Sequence, residues 1–123
     1  MPWPKLFDGV NQIEDLQSLS DLEKKHAPII SAPASVKANE FFNVTVEVGK
    51  MLGHPNEMKH FIEFVELYAD DRFLARADFT AETVRPEVTF SICLPGPIEQ
   101  LRAFERCNVH GTWEWDSPVE VSE

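Results

Sequence analysis

The sequence contains little cysteine, with Cys93 and Cys107 as its two examples. They occur in unlike contexts, because Cys93 falls inside an apolar run while Cys107 shortly precedes His110. A disulfide between them would remove the thiolate of Cys107, which is the cysteine close to a histidine in the sequence. We therefore expect both cysteines to be reduced, which is typical of a cytosolic protein.

Long apolar runs and positive charge are also scarce. No stretch approaches the roughly 18 apolar residues of a transmembrane helix, and the first ten residues lack the basic-then-apolar order of a signal peptide. We expect a soluble, unprocessed, cytoplasmic protein. The 11 Lys and Arg residues against 21 Asp and Glu give a net charge of −10, which disfavours nucleic acid and anionic membranes as partners. A small anionic substrate would need local positive charge.

The length and the apolar periodicity predict a single all-β domain spanning residues 1–123. At 43% hydrophobic residues the chain is large enough for a core without disulfides. Alternating apolar residues predict a strand over 42–48, and strand-like runs follow at 61–70, 72–79, 88–94 and 101–107, separated by Pro and Gly. Such a series indicates an antiparallel β-sandwich. Before it, a three-residue apolar spacing predicts a short helix or 3₁₀ segment within 11–25.

All four histidines and one cysteine lie in contexts that suit metal ligands. The five residues are His26, His54, His60, Cys107 and His110. Imidazole and thiolate together suit iron, zinc or copper, and five donors exceed the four that close a structural zinc site. The surplus favours iron with a free coordination position. We expect the donors on loops between strands, with His60 opening the strand that follows.

The order of these motifs resembles the superoxide reductases of the one-iron, neelaredoxin type, which share the iron-binding domain of desulfoferrodoxin. The motifs are H-x-P at His26, HP-x4-H at His54 and His60, and CN-x-HG-x-W from Cys107 to Trp113. The resemblance runs from about Glu23 to Trp113. It implies a seven-stranded immunoglobulin-like β-sandwich with a short N-terminal helical or loop segment, in which residues 1–25 form an N-terminal extension and active-site loop. The rubredoxin-like domain of desulfoferrodoxin is not expected, since no CxxC pair precedes His26.

The resemblance also implies the chemistry. A mononuclear non-haem iron, cycling between Fe2+ and Fe3+, would be held by an axial cysteinate and four equatorial histidines, and it would reduce superoxide by one electron to hydrogen peroxide. Carried over by position, Cys107 is axial and the equatorial ligands are His26, His54, His60 and His110. The turn after Cys107 is expected to aim backbone N–H groups at the sulfur. Trp113 is expected to shield the turn that carries Cys107 and His110 from water and to anchor it to the sandwich.

Two charged residues before the first histidine are further candidates. The family loop reads Glu-Lys-His-x-Pro, whereas this chain has Glu23-Lys24-Lys25-His26-Ala27-Pro28. Lys25 therefore aligns with the family lysine that attracts superoxide, and Glu23 is displaced by one residue from the glutamate that caps oxidised iron. The resemblance further implies rubredoxin or a similar small electron donor, although the acidic sequence shows no obvious docking patch, and a homotetramer.

Two other interpretations of the five candidate ligands remain open. A non-catalytic zinc-stabilised β-sandwich interaction domain could use Cys107, His110 and two other histidines, because zinc is preferred to ferrous iron at most nitrogen and sulfur sites. A copper electron carrier with a His2Cys site would need an axial methionine, and neither Met51 nor Met58 stands at the usual place after the Cys and His.

Overall fold

The computed structural model describes residues 9–123, so the expectation about a signal peptide falls largely on residues outside the described part. The described residues form one helix and ten strands. In chain order these are β1 Asn11–Gln12, α1 Asp21–His26, β2 Pro28–Ser31, β3 Ser35–Lys37, β4 Phe42–Val48, β5 Ile62–Ala69, β6 Arg72–Asp78, β7 Glu87–Ile92, β8 Gln100–Cys107, β9 Gly111–Pro118 and β10 Glu120–Ser122.

The strands form two facing sheets and one short pair. One sheet has the order β1-β9-β8-β5-β6, the other has the order β2-β4-β7, and β10 pairs with β3. The ladders that join β9, β8, β5 and β6, and those that join β2, β4 and β7, are antiparallel. These seven strands confirm the predicted all-β sandwich. Two short pairs at its edges, β1 with β9 and β10 with β3, are parallel, which the strand pattern did not predict.

Alternation along the strands places the core between the two sheets. In β4, Val44, Val46 and Val48 are buried and their neighbours are not. In β5 the buried positions include Val65 and Leu67, which pack into the same cluster. Each such side chain contributes about 1.5–3 kcal/mol when it is fully buried. The core therefore sits between four strands of one sheet and three of the other.

The short helix predicted within 11–25 is confirmed, but it occupies only the end of that segment. Helix α1 has only six residues and begins after Ser20, whose hydroxyl accepts a hydrogen bond from the Glu23 backbone N–H. Earlier in the segment, Asn11 pairs with β9, and Leu16 is 61% exposed. The apolar spacing does not line a buried face, because the chain there follows the edge of the sheet.

Strand β9 was not predicted, although it occupies the sheet beside β8. Its sequence, GTWEWDSP, shows no clean alternation, since Trp113 and Glu114 are both buried. Glu114 tolerates burial because Arg102 Nε donates to its carboxylate at 2.8 Å. A buried charge that is paired across strands cannot be recognised from the local pattern. Within residues 9–123 no helix is long and apolar enough to cross a bilayer.

Candidate metal centre

Three segments at one end of the sandwich carry the five candidate ligands. His26 ends α1, His54 and His60 lie between β4 and β5, and the turn from β8 to β9 carries Cys107 and His110. Because β8 pairs with β5 so that Cys107 lies opposite Ile62, the last two segments meet at the same end of the five-stranded sheet.

The first segment is positioned by a capping box. The Ser20 hydroxyl accepts from the Glu23 N–H, and the Glu23 carboxylate accepts from the Ser20 N–H at 2.9 Å. The helix that starts here ends at His26, and Ala27 then leads the chain into β2. His26 is only 1% exposed.

The second segment turns back after β4 at Gly49. Its φ of +86° favours glycine, and a Cβ there would stand 3.0 Å from the backbone nitrogen of His54. Farther along, Glu57 and His60 exchange two backbone hydrogen bonds of 3.0 Å and form a tight turn. His60 therefore precedes β5 by two residues and does not open that strand as expected.

The third segment is the turn from Cys107 to Gly111, which the sequence predicted. Gly111 has a φ of +87°, and the backbone N–H of His110 donates to Cys107 Sγ at 3.4 Å. The expectation that this turn aims a backbone N–H at the sulfur is confirmed. Cys107 is fully buried, whereas His110 is exposed.

The four imidazole rings form a closed ring of contacts around the sulfur. Neighbouring ring centroids lie 4.7–5.1 Å apart, in the order His26, His54, His60, His110 and back to His26. One donor atom each from His26, His60, Cys107 and His110 lies within 4.8 Å of all the others. His54 Nε2 stands beside this group, 3.4 Å from Cys107 Sγ.

Backbone carbonyls set which imidazole nitrogen faces the sulfur. His26 Nδ1 donates to the carbonyl oxygen of Leu22 at 2.7 Å, and His54 Nδ1 donates to that of Pro55 at 2.6 Å. A carbonyl only accepts, so each Nδ1 carries the proton and each Nε2 keeps its lone pair. The Nε2 atoms of His26 and His60 are buried, and neither has a hydrogen-bond partner in the described residues.

Burial keeps His26 and His54 in the neutral form that a metal ion requires, whereas it favours the protonated form of the Cys107 thiol. It lowers the pKa of His54 to about 4, against the opposing effect of the Pro55 carbonyl, and it also lowers the pKa of His26. Both imidazoles are neutral at neutral pH. Burial raises the pKa of the Cys107 thiol, while the backbone N–H groups of His110 and Val109 oppose the shift. An ion bound at the sulfur would therefore displace a proton.

The donors fit a single transition-metal ion. Donors at about 2.1 Å and 2.3 Å from one ion, at right angles to each other, lie about 3.1 Å apart. The distance of 3.4 Å from His54 Nε2 to Cys107 Sγ is close to that value, and the distance from His110 Nδ1 to the same sulfur is 3.9 Å. Buried imidazole nitrogens without partners are costly unless a further group binds them. Four imidazoles and a thiolate exceed a closed tetrahedral zinc set and suit iron.

The two charged candidates are placed differently. Lys25 precedes His26 directly, and its charge contributes to the lowered pKa of His26, although burial is the larger cause. The carboxylate of Glu23 is engaged by the Ser20 N–H in the capping box. Lys25 is thus close enough to His26 to lower its pKa, whereas the Glu23 carboxylate is bound at the start of its own helix.

Sequence reasoning missed two residues that support this centre. Asn108 joins two of the segments, because its amide donates to the Lys59 carbonyl and its side-chain oxygen accepts from the Phe61 N–H. Glu105 is fully buried on the same face of β8 as Cys107, and burial raises the pKa of its carboxyl well above its usual range. Burial thus favours the protonated, uncharged form of Glu105. The alternation in LRAFERC gave the signal, since Glu105 falls at an inward position.

Comparisons with known proteins identify the family. The desulfoferrodoxin family model matches residues 18–116. A protein from Methanocaldococcus jannaschii named "Putative superoxide reductase" is 40% identical over 116 residues, which cover 92% of this chain and 95% of that protein. Neelaredoxin from Megalodesulfovibrio gigas is 33% identical over 116 residues, which cover 80% of this chain and 88% of that protein.

A solved structure agrees with these matches. Superoxide reductase (neelaredoxin) from Ignicoccus hospitalis has a TM-score of 0.82 to this chain and 31% identity, and the match covers 97% of this chain and 100% of the other. The residues matched by the family model include the four histidines and Cys107. The predicted family is therefore confirmed: this chain belongs to the desulfoferrodoxin family.

Proposed function

We propose that the protein is a superoxide reductase, which reduces superoxide to hydrogen peroxide at a mononuclear non-haem iron. The observation that carries the proposal is the closed ring of four imidazoles around a buried thiol sulfur. In the overall reaction superoxide accepts one electron and two protons, and the bond between its two oxygen atoms is not cleaved. The iron, when bound, supplies the electron by cycling between Fe2+ and Fe3+.

The five donors are proposed as the iron ligands, with His26, His54, His60 and His110 around the ion and Cys107 on one side of it. The buried orphan nitrogens of His26 and His60 support this assignment, as does the unprotonated Nε2 of His54. The backbone N–H of His110, aimed at the Cys107 sulfur, moderates the electron density that the thiolate donates.

Two charged residues before His26 are proposed to act in the reaction, one on the substrate and one on the iron. Lys25 attracts the superoxide anion, because it supplies positive charge beside His26 in a protein of net charge −10. Glu23 is proposed as a sixth ligand of oxidised iron. Its carboxylate would first have to leave the Ser20 N–H, which makes the capping box the resting position of this side chain.

The remaining assignments also belong to the proposal. Residues 1–123 form a single iron-binding domain, with 1–25 as an N-terminal extension and active-site loop. The electron donor is rubredoxin or a similar small carrier, the protein works as a homotetramer in the cytoplasm, and neither nucleic acid nor membrane is a partner. The net charge of −10 supports the last point.

Absorption spectroscopy of the iron-loaded protein tests the function. A ferric thiolate gives an intense visible band, which should bleach on reduction and return when superoxide is added, with hydrogen peroxide formed and no oxygen released. Zinc-loaded protein is the control, since it should stay colourless and not react. If the isolated protein holds zinc tightly and the iron form shows no such band, the zinc-stabilised interaction domain becomes the better reading.

A further inference from the structure

His60 differs from two of the other candidate ligands in how its ring is held. Backbone carbonyls accept from Nδ1 of His26 and of His54, so these two imidazoles are fixed in orientation. Within residues 9–123 no protein group forms a hydrogen bond with either ring nitrogen of His60. A hydrogen bond on the outer nitrogen normally sets the orientation and raises the basicity of a metal-binding imidazole. The position of the His60 ring therefore depends on the backbone that carries it.

Asn108 binds the backbone on both sides of His60. Its Nδ2 donates to the carbonyl oxygen of Lys59 at 3.0 Å, and its Oδ1 accepts from the N–H of Phe61 at 3.0 Å. These two groups belong to the two peptide units that flank the Cα of His60. One amide side chain thus holds both units, and the Asn108 backbone N–H adds a third bond, to the Phe61 carbonyl, at 3.3 Å.

The opposite edges of the same two peptide units are also bonded. The N–H and the carbonyl of His60 exchange two hydrogen bonds of 3.0 Å with the backbone of Glu57. All four polar groups of the two units therefore have partners. Because both units are fixed, the direction of the His60 Cα–Cβ bond is fixed as well. This places the imidazole between the rings of His54 and His110 without a hydrogen bond of its own.

We propose that Asn108 is a positioning residue of the iron site, which holds His60 on the metal ion through the two flanking peptide units. Asn108 directly follows Cys107, so the same side chain also fixes His60 relative to the sulfur. A ligand atom has to stay within about 0.5 Å of its binding position, and supporting partners of this kind are worth about 10–100-fold in metal affinity. The inference rests on the proposed function, since it deepens the role of His60 as an iron ligand.

Asn56 offers a matched control. Its Nδ2 donates to the Val84 carbonyl at 3.2 Å and its Oδ1 accepts from the Glu82 N–H at 2.8 Å, so it makes the same pair of bonds as Asn108. Asn56 lies in the loop that precedes His60, but its two partners flank no candidate ligand. Replacement by Asp at either position keeps the acceptor, removes the donor and adds one negative charge.

The experiment measures how fast iron leaves each loaded protein when excess chelator is added, together with the electron paramagnetic resonance spectrum of the ferric form. We expect Asn108→Asp and Asn108→Ala to raise the dissociation rate about tenfold and to change the ferric spectrum, because the His60 ligand is displaced. Asn56→Asp and Asn56→Ala should stay within about twofold of the wild-type rate and keep its spectrum. Melting temperatures of the metal-free proteins should fall by similar amounts in the two alanine variants, since each loses two hydrogen bonds.

Equal dissociation rates in the Asn108 and Asn56 variants would overturn the proposal, because Asn108 would then support only the loop. If both Asn108 variants fail to fold, amide hydrogen exchange of the zinc-loaded wild-type protein decides. The Phe61 N–H donates to Asn108 Oδ1, so its protection is expected and its free exchange would contradict the proposal. Failure of the ferrous wild-type protein to react with superoxide would instead reject the proposed function, whereas the dissociation rates need no superoxide and would still test Asn108.

Discussion

The indole ring of Trp113 stacks on the imidazole of His26, with ring centroids 4.9 Å apart and planes inclined by 19°. The same indole donates from Nε1 to the carbonyl oxygen of His110 at 3.1 Å. One side chain on β9 thus contacts the helix that ends at His26 and the turn that carries His110. This arrangement confirms the expectation that Trp113 anchors the turn of Cys107 and His110 to the sandwich.

Replacing Trp113 by Phe should weaken iron binding about tenfold, because the hydrogen bond to His110 is lost while the stack on His26 is kept. Competition with a chelator measures the affinity. Trp115→Phe is the control, since Trp115 packs against the core and not against a ligand. Equal affinities in the wild type and Trp113→Phe would show that the indole serves the fold alone.

Replacing Cys107 by Ser should abolish the visible charge-transfer band of the ferric protein, because that band requires sulfur bound to iron. The comparison is with Cys93→Ser, since Cys93 is the other free cysteine and follows the end of β7. The absorption spectrum of both iron-loaded variants gives the answer. A Cys107→Ser protein that keeps its colour would remove the sulfur from the ligand set.

Replacing Lys25 by Ala should slow the reaction with superoxide about tenfold at low ionic strength and flatten its salt dependence, because a steering charge acts on encounter. Pulse radiolysis at several salt concentrations measures both quantities. Lys37→Ala, on β3, carries the same change of net charge away from the ligand-bearing segments. Identical salt slopes in the two variants would leave Lys25 without a role in attracting substrate.

Glu23→Ala and Ser20→Ala form a matched pair, because each breaks the capping box at the start of α1 and should cost about 1 kcal/mol of stability. If Glu23 binds oxidised iron, only Glu23→Ala should shift the ferric absorption band. Thermal unfolding and the ferric spectrum are measured on both variants. Equal spectra would confine Glu23 to capping the helix.

The titration of Asp116 should lower the free energy of unfolding as pH rises from about 4 to about 7. Burial, with a hydrogen bond to Glu114 as the next cause, raises the pKa of Asp116 from 3.8 to about 7. In this window the folded state holds a proton that the unfolded state has released, so the free energy of unfolding falls with increasing pH. The Asp116 side chain is 37% exposed, which keeps the effect small.

Asp116→Asn removes this titration, so its melting temperature should fall less than that of the wild type between pH 5 and pH 7. The lowered pKa of the neighbouring Glu114 acts below this range and does not interfere. Parallel melting curves of variant and wild type across these pH values would contradict the shifted pKa.

The sequence by itself determined the candidate donors, the family and most of the strands. Alternation in β4 and the runs that became β5 to β8 are local properties of the pattern, and so is the spacing that puts Cys107 and His110 on one turn. These features are readable because a strand's period and a turn's glycine act over a few residues. The order of the motifs then led to the family.

Tertiary structure alone decided that β9 buries Glu114 and which nitrogens of His26 and His54 face the sulfur. A salt bridge from Arg102 and the carbonyls of Leu22 and Pro55 settle these points. Periodicity constrains only neighbours along the chain, whereas burial, tautomer and the meeting of three distant segments depend on which strands pair and in which register.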